Sequence, residues 1–325
     1  MIYAASGGTD VIQLRDVPSP EPGPHQVRVR VRAAGLNRAD ILQRKGRYPA
    51  PPGWPADIPG LEYAGEIESL GEGVSRWRRG DRVMGLVGGG AHAEFVVVHQ
   101  DETMGMPAGM PFTDAAAVPE AFLTAYDALV FRGRLQRGER VLIHAAGSGV
   151  GTAACQIARH LGATVLGTSR TPEKLARTRE YGLDVAIETG RGSPGFLHAI
   201  DEPVHVILDV LGGTAFNDNL AALGPRGRLV ILGLLTGPRA EADLSPILRK
   251  RLEIIGSVMR ARTLAERIPL VREFMNRMLP LFEAGPKAAP LLRPVVGRVM
   301  HMSDLALAHA AMERDETFGK TVLEW

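Results

Sequence analysis

Cysteine occurs once in the 325 residues, as Cys155. A lone thiol closes no internal disulfide, which argues against a secreted scaffold held together by cross-links. No apolar run reaches the roughly 20 residues of a membrane-spanning helix. The opening Met1-Ile2-Tyr3-Ala4 lacks a basic region followed by an apolar one, so no secretory signal is read there. A formal charge of +2 gives no reason to expect nucleic acid or an acidic surface as the main partner. What remains, at 45% apolar and 23% charged residues, is an ordinary soluble composition, expected in the cytoplasm. The length suits two domains.

The most informative stretch is Val141-Leu142-Ile143-His144-Ala145-Ala146-Gly147-Ser148-Gly149-Val150-Gly151. An apolar strand-like segment feeds a glycine-rich turn, which opens into the helix-like Thr152–Ala158. Small residues there let the backbone approach a dinucleotide pyrophosphate, and the helix start offers unpaired N–H groups and a positive dipole end. The pattern is not a strict G-x-G-x-x-G, because Ala146 holds the first position. A second strand-like run, Ala163–Thr168, ends in Ser169-Arg170, with Lys174 close behind. NAD enzymes usually place Asp or Glu there to hold the ribose 2′-hydroxyl. A carboxylate would repel a 2′-phosphate, whereas Ser169, Arg170 and Lys174 can bind one through charge-assisted hydrogen bonds. These residues predict NADPH over NADH; the alternative is a solvated basic loop.

The first 118 residues read as β-rich. Gln26–Arg32 alternates polar and apolar with period two, as in a half-buried strand. Short strands follow at Gly60–Leu70, Asp81–Val87 and His92–Val98, and the glycines between them favour a barrel-like domain. Arg47–Pro59 carries five prolines and is expected as an irregular loop. From Pro119, strand-like runs alternate with helical ones: Val141–Ala145, Ala163–Thr168, Asp184–Glu188, Val204–Asp209, Arg228–Gly233 and Glu253–Val258. Repeated βα units imply an α/β fold with a parallel sheet that binds ligand at the carboxyl ends of its strands. Residues 263–325 read as helical up to a final strand at Gly319–Trp325, which we return to the first domain. The expected organisation is a discontinuous catalytic domain, 1–118 and 263–325, around a nucleotide-binding domain, 119–262.

Several motifs in this order resemble the medium-chain dehydrogenase/reductases, in their zinc-free, zeta-crystallin-like quinone oxidoreductase branch. They are Ala34-Gly35-Leu36-Asn37-Arg38-Ala39-Asp40, Gln43–Tyr48, Pro59–Gly65, Gly80-Asp81-Arg82-Val83, the glycine run and Gly319–Leu323. The Arg47-Tyr48 loop looks most like the tumour-suppressor-inducible quinone oxidoreductase group. The resemblance implies a GroES-like β-barrel catalytic domain, a Rossmann domain, NADPH and a homodimer. Zinc members of the superfamily carry a ligand cysteine where Asn37 stands and a His-Glu pair at Leu61-Glu62. With one cysteine in the chain, neither a catalytic nor a structural zinc site is expected. A tyrosine that relatives often place near the 2′-phosphate is replaced here by Ile187-Glu188-Thr189.

Without zinc there is no strong Lewis acid for an alkoxide, so quinone reduction is favoured over alcohol or ketone chemistry. By resemblance Asn37, Asp40 and Tyr48 face the nicotinamide. Asn37 is a candidate to orient substrate or cofactor, Asp40 to order its neighbours, and Tyr48 to stack on or donate to a quinone. The alternative for Asn37 and Asp40 is helix capping, and for Tyr48, loop packing among prolines. On the cofactor side the candidates are Thr124, Ala146, Ser148, Gly149, Val150, Gly151, Ser169, Arg170, Lys174, Gly233, Leu234 and Leu235. Cys155 and His144 are read as core or flanking residues. Reduction of activated C=C bonds in enals, enones or acryloyl compounds is the competing activity. A crystallin-like or RNA-binding role is the competing class, and no basic-aromatic patch supports RNA. The Glu253–Val258 strand is expected at a sheet edge, where two copies would pair.

Overall fold

The computed structural model describes residues 1–190, 192, 195–283 and 288–325. The chain divides into two units, Met1–Leu123 with Met259–Trp325, and Thr124–Val258. Residues 119–123 and 259–262 therefore lie in the first unit, a few residues away from the boundaries drawn on the sequence.

In the first unit the long Gln26–Leu36 strand is the hub. Val27, Val29 and Val31 are buried while Arg30 and Arg32 are exposed, as the alternation requires. From Ala33 onward both faces are buried. The strand pairs antiparallel with Glu62–Leu70, Phe95–His99 and Lys320–Glu324. The sheet runs Val296–His301, Lys320–Glu324, Gln26–Leu36, Glu62–Leu70, Arg82–Leu86, Thr103–Gly105. Tyr63, Ile67, Val83, Val96 and Val98 close one apolar core over the hub valines. Each such side chain contributes roughly 1.5–3 kcal/mol by leaving water.

One strand differs from expectation. Val296–His301 lies in a segment read as helical, yet it pairs parallel with Lys320–Glu324 at the sheet edge. It buries none of its six residues, so it leaves no alternating apolar trace in the sequence. Among the described residues of this segment, the α-helices are Leu264–Arg277 and Leu305–Glu313.

The second unit is a parallel sheet ordered Val185–Glu188, Thr164–Ser169, Arg140–Ile143, Val204–Asp209, Leu223–Ile231, Glu253–Gly256. Leu142, Leu166, Ile187, Ile207 and Leu229 fill its core. Helix Gly149–His160 follows the Arg140–Ile143 strand and Pro172–Thr178 follows Thr164–Ser169. Cys155 is fully buried in the first of these, and burial pushes its thiol far up, so it is a packing residue. Because every strand points the same way, Ile143, Ser169, Glu188, Asp209 and Ile231 line up along one sheet edge. Together the units are a GroES-like domain and a Rossmann-type parallel sheet.

Candidate functional site

In the second unit the Arg140–Ile143 strand leads into Ala145, whose φ of 52° is left-handed and turns the chain sharply. The fully buried Ala146 ties this turn to the neighbouring strand, its N–H donating to the Thr168 carbonyl at 2.9 Å. Ser148 caps the next helix, its Oγ accepting the Gly151 N–H at 3.0 Å. Gly149 and Val150 open that helix, so their N–H groups have no carbonyl four residues back within it and sit at its positive end. A Cβ on Gly151 would lie 2.4 Å from the Ala145 carbonyl oxygen and 2.6 Å from that of Ala146. Only glycine lets the helix begin this close to the turn, and the resulting cradle fits a dinucleotide pyrophosphate. Gly151→Ala is expected to weaken dinucleotide binding about tenfold, about 1.4 kcal/mol, and to destabilise the fold by about 1–3 kcal/mol through overpacking. Fluorescence titration with the cofactor and thermal unfolding check both.

Other predicted contacts are placed more variously. Among the described residues, Thr124 Oγ1 is buried without a hydrogen-bond partner, a polar atom of the kind a bound cofactor would satisfy. Ser169 is buried, and its Oγ accepts the Thr171 N–H at 3.2 Å. Arg170 is exposed and Lys174 half-buried, while the exposed Glu188 lies directly across from Ser169 on the adjoining strand. Leu234 and Leu235 are exposed. The Gly233 and Leu235 N–H groups donate to the Asp209 and Val210 carbonyls at 3.3 and 3.1 Å, so the backbone donors of two of these cofactor candidates are already engaged. His144 is buried between Thr168 Oγ1 at 2.9 Å and Asn219 Oδ1 at 2.7 Å, and burial holds its proton affinity down. Its role is structural.

In the first unit Asn37 follows the hub strand and caps the Arg38–Arg44 helix. Its own N–H donates to Asp40 Oδ2 at 2.8 Å, the carboxylate arm of a capping box. Asp40 Oδ1 accepts the Gly60 N–H at 3.1 Å, so this fully buried carboxylate pins the helix start to the Pro59–Gly65 segment. Burial raises its pKa to about 6, against the two backbone donors. The Asn37 side chain is engaged on both ends: Nδ2 donates to Glu62 Oε1 at 3.0 Å, and Oδ1 accepts from Lys320 Nζ at 2.6 Å. Lys320 also donates to the Leu36 carbonyl at 2.9 Å and pairs with Glu62 at 2.5 Å. Glu62 is 0% and Lys320 5% exposed, so the pair is sealed inside the barrel.

Tyr48 is held by Arg260. The guanidinium lies 5.2 Å from the Tyr48 ring centroid, and its Nη1 donates to the Tyr48 carbonyl at 2.9 Å. Nε reaches the Gly88 carbonyl at 2.8 Å and Nη2 reaches Gln43 Oε1 at 2.7 Å. Burial, reinforced by the Glu120 carboxyl, raises the Tyr48 phenol, with Arg260 opposing. Asn37, Asp40, Glu62, Glu120, Lys320, Arg260 and Tyr48 thus form one charged neighbourhood within this unit.

Residues 149–277 match the family described as zinc-binding dehydrogenase, and residues 23–108 match the alcohol dehydrogenase GroES-like domain. The quinone oxidoreductase of Pseudomonas aeruginosa is 34% identical over 99% of this chain and 98% of its own length. The chain belongs to the medium-chain dehydrogenase/reductases, in their zinc-free quinone oxidoreductase branch. The Escherichia coli quinone oxidoreductase complexed with NADPH superposes with a TM-score of 0.85 at 26% identity, covering 100% of this chain and 99% of that one. The CurK enoyl reductase gives 0.84 at 27% identity, covering 99% and 97%. The protein is an oxidoreductase that takes a nicotinamide cofactor. Glu62, Glu120, Lys320 and Arg260 carried no role in the sequence reading, although Glu62 and Lys320 stand inside quoted motifs. Only Glu62 offered a signal, as a charged residue at a strand position between Leu61 and Tyr63.

Proposed function

We propose that the protein is a cytoplasmic NADPH-dependent quinone reductase that works without a metal. The observation that carries this reading is the Lys320 ammonium, bound by Asn37 Oδ1, Glu62 Oε1 and the Leu36 carbonyl. Where zinc relatives gather ligands, this chain spends its donor atoms on an organic cation that offers no open coordination position. An acceptor suited to such a site yields a stable anion on reduction. A hydroquinone does, with a phenol-like pKa of about 10. The dihydronicotinamide supplies the hydride. The chain's own residues position and desolvate: Arg260 and its three acceptors fix Tyr48, whose phenol stacks on or donates to the acceptor. Asn37 and Asp40 act through others, holding the Lys320–Glu62 pair and the Arg38–Arg44 helix in register.

For the cofactor, Ser169 ends the Thr164–Ser169 strand and Arg170 follows it, without a carboxylate in that position, and Lys174 lies on the next helix. Arg170→Ala is expected to lower kcat/KM for NADPH by about tenfold to a hundredfold, as loss of a charge-assisted contact implies, with NADH little changed. Equal efficiency of the unmodified protein with both cofactors would sink the preference. Activated C=C bonds are the second reading, favoured by the likeness to the CurK enoyl reductase. NADPH oxidation measured in parallel with a naphthoquinone and a short enone decides between them, and turnover of the enone alone would reverse the ranking.

The Glu253–Gly256 strand ends its sheet, with Ile254 37% exposed and Val258 44% exposed beside it. An unpaired apolar edge favours a homodimer built by pairing this strand with its counterpart. Ile254→Lys should convert a dimer to a monomer in light scattering; an unmodified protein already monomeric at micromolar concentration would refute the arrangement.

A further inference from the structure

Three carboxyl groups and two cations share the neighbourhood around Asn37. Asp40 accepts two backbone N–H groups, from Asn37 and Gly60. Glu62 accepts the Glu120 N–H at 2.7 Å, the Asn37 amide and the Lys320 ammonium. The third carboxyl, Glu120, stands in the first turn of the Pro119–Tyr126 helix. Among the described residues its carboxyl oxygens receive no hydrogen bond from the protein. It is also partly exposed, whereas Asp40 and Glu62 are fully buried. The groups facing it are Glu62 and Asp40 on the negative side, Lys320 and Arg260 on the positive side, and the Tyr48 phenol.

Charge bookkeeping assigns a proton to this cluster. Lys320 and Arg260 balance two carboxylates, and a third negative charge in this neighbourhood would stand uncompensated. The proton belongs on the carboxyl with the fewest donors, because N–H donors favour the ionised form at the other two. We propose that Glu120 is the neutral, proton-bearing acid of this cluster and that it delivers its proton to the reduced acceptor. The delivery half rests on the quinone reading; the protonation half does not. In that step the hydride carries two electrons from the dihydronicotinamide to the quinone, leaving a hydroquinone monoanion. The Glu120 O–H bond then breaks, a new O–H bond forms on the anionic oxygen, and the carboxylate left behind takes a proton from water. Burial first, and the Glu62 charge second, hold the Glu120 pKa up at about 8, so the acid is loaded at neutral pH.

Three experiments on the intact protein separate the halves. Infrared difference spectra across about pH 7.5 to about pH 9.5, above the range in which Asp40 titrates, should lose a carboxylic-acid C=O band in the unmodified protein and not in Glu120→Gln. The same band in the variant, or none in either protein, overturns the protonation. Thermal unfolding gives a second readout. An acid whose pKa is raised on folding makes stability fall as pH rises from about 4.3 to about 8. The Tm of Glu120→Gln relative to the unmodified protein should therefore climb over that window and level off above it; a constant difference also overturns the assignment. In quinone turnover, kcat should decline above about pH 8 in the unmodified protein. Glu120→Gln should be slower by roughly a hundredfold with no such inflection, while Glu120→Asp keeps it. An unchanged profile in Glu120→Gln removes the delivery role even where the infrared band stands. Absence of any quinone turnover removes delivery together with the quinone reading, and the infrared and thermal results still decide protonation.

Discussion

Lys320→Met is expected to lower the unfolding free energy by about 3–5 kcal/mol, the cost of leaving a buried ion without its partner. Glu62 is 0% exposed and keeps only neutral donors, from Asn37 and the Glu120 backbone, once the ammonium is gone. Asn37 Oδ1 and the Leu36 carbonyl lose their donor at the same time. Methionine fills nearly the same volume, so the loss reports charge rather than a cavity. Adding Glu62→Gln removes the orphan charge and should recover a large part of the loss. Urea unfolding of the single and double variants measures all of this. A single-variant loss below about 1 kcal/mol, the scale of an exposed pair, would show the bridge to be energetically idle.

Arg260→Ala carries a second large effect, on stability and turnover together. The guanidinium is 5% exposed and divides its donors among Gly88, Tyr48 and Gln43. Hydrogen bonds to charged groups are worth about 1.5–3 kcal/mol each, and they are not additive, so about 3–5 kcal/mol is expected in all. Arg260 joins the barrel to a proline-rich loop with no strand or helix of its own, so its loss frees Tyr48 from a fixed place. kcat/KM for quinones should fall with it. Arg260→Lys should rescue little, because one ammonium cannot span three acceptors that a planar fork reaches at once. A lysine variant with the Tm and kinetics of the unmodified protein would mean that charge alone, rather than fork geometry, holds the loop.

Local pattern carried much of this structure. The alternation in Gln26–Arg32, the glycine run and the βα rhythm are read within a few residues of one another, and the strands form at or near those places. Asn37 and Asp40 sit in the same short motif, so the sequence offered both a catalytic and a capping reading, and the Asp40 capping bond is present in the structure. The Glu62–Lys320 pair was silent because neither residue signals the other along the chain. A lone Glu before Tyr63 and a lone Lys before Thr321 each look like strand ends. Arg260 had no local signal, since its three acceptors lie far away in sequence. The Val296–His301 strand was missed because an exposed edge imposes no alternation.

The Lys320–Glu324 strand is inserted between Val296–His301 and Gln26–Leu36. Lys320 thereby reaches Asn37 across a separation of 283 residues. On the ribosome, the hub strand emerges before its neighbour on that side, which follows only after the whole parallel-sheet unit. Until then one edge of the nascent barrel stays open, with Glu62 waiting for its counter-ion while the whole parallel-sheet unit is made. The middle unit can fold co-translationally, whereas the charged site is completed only after it.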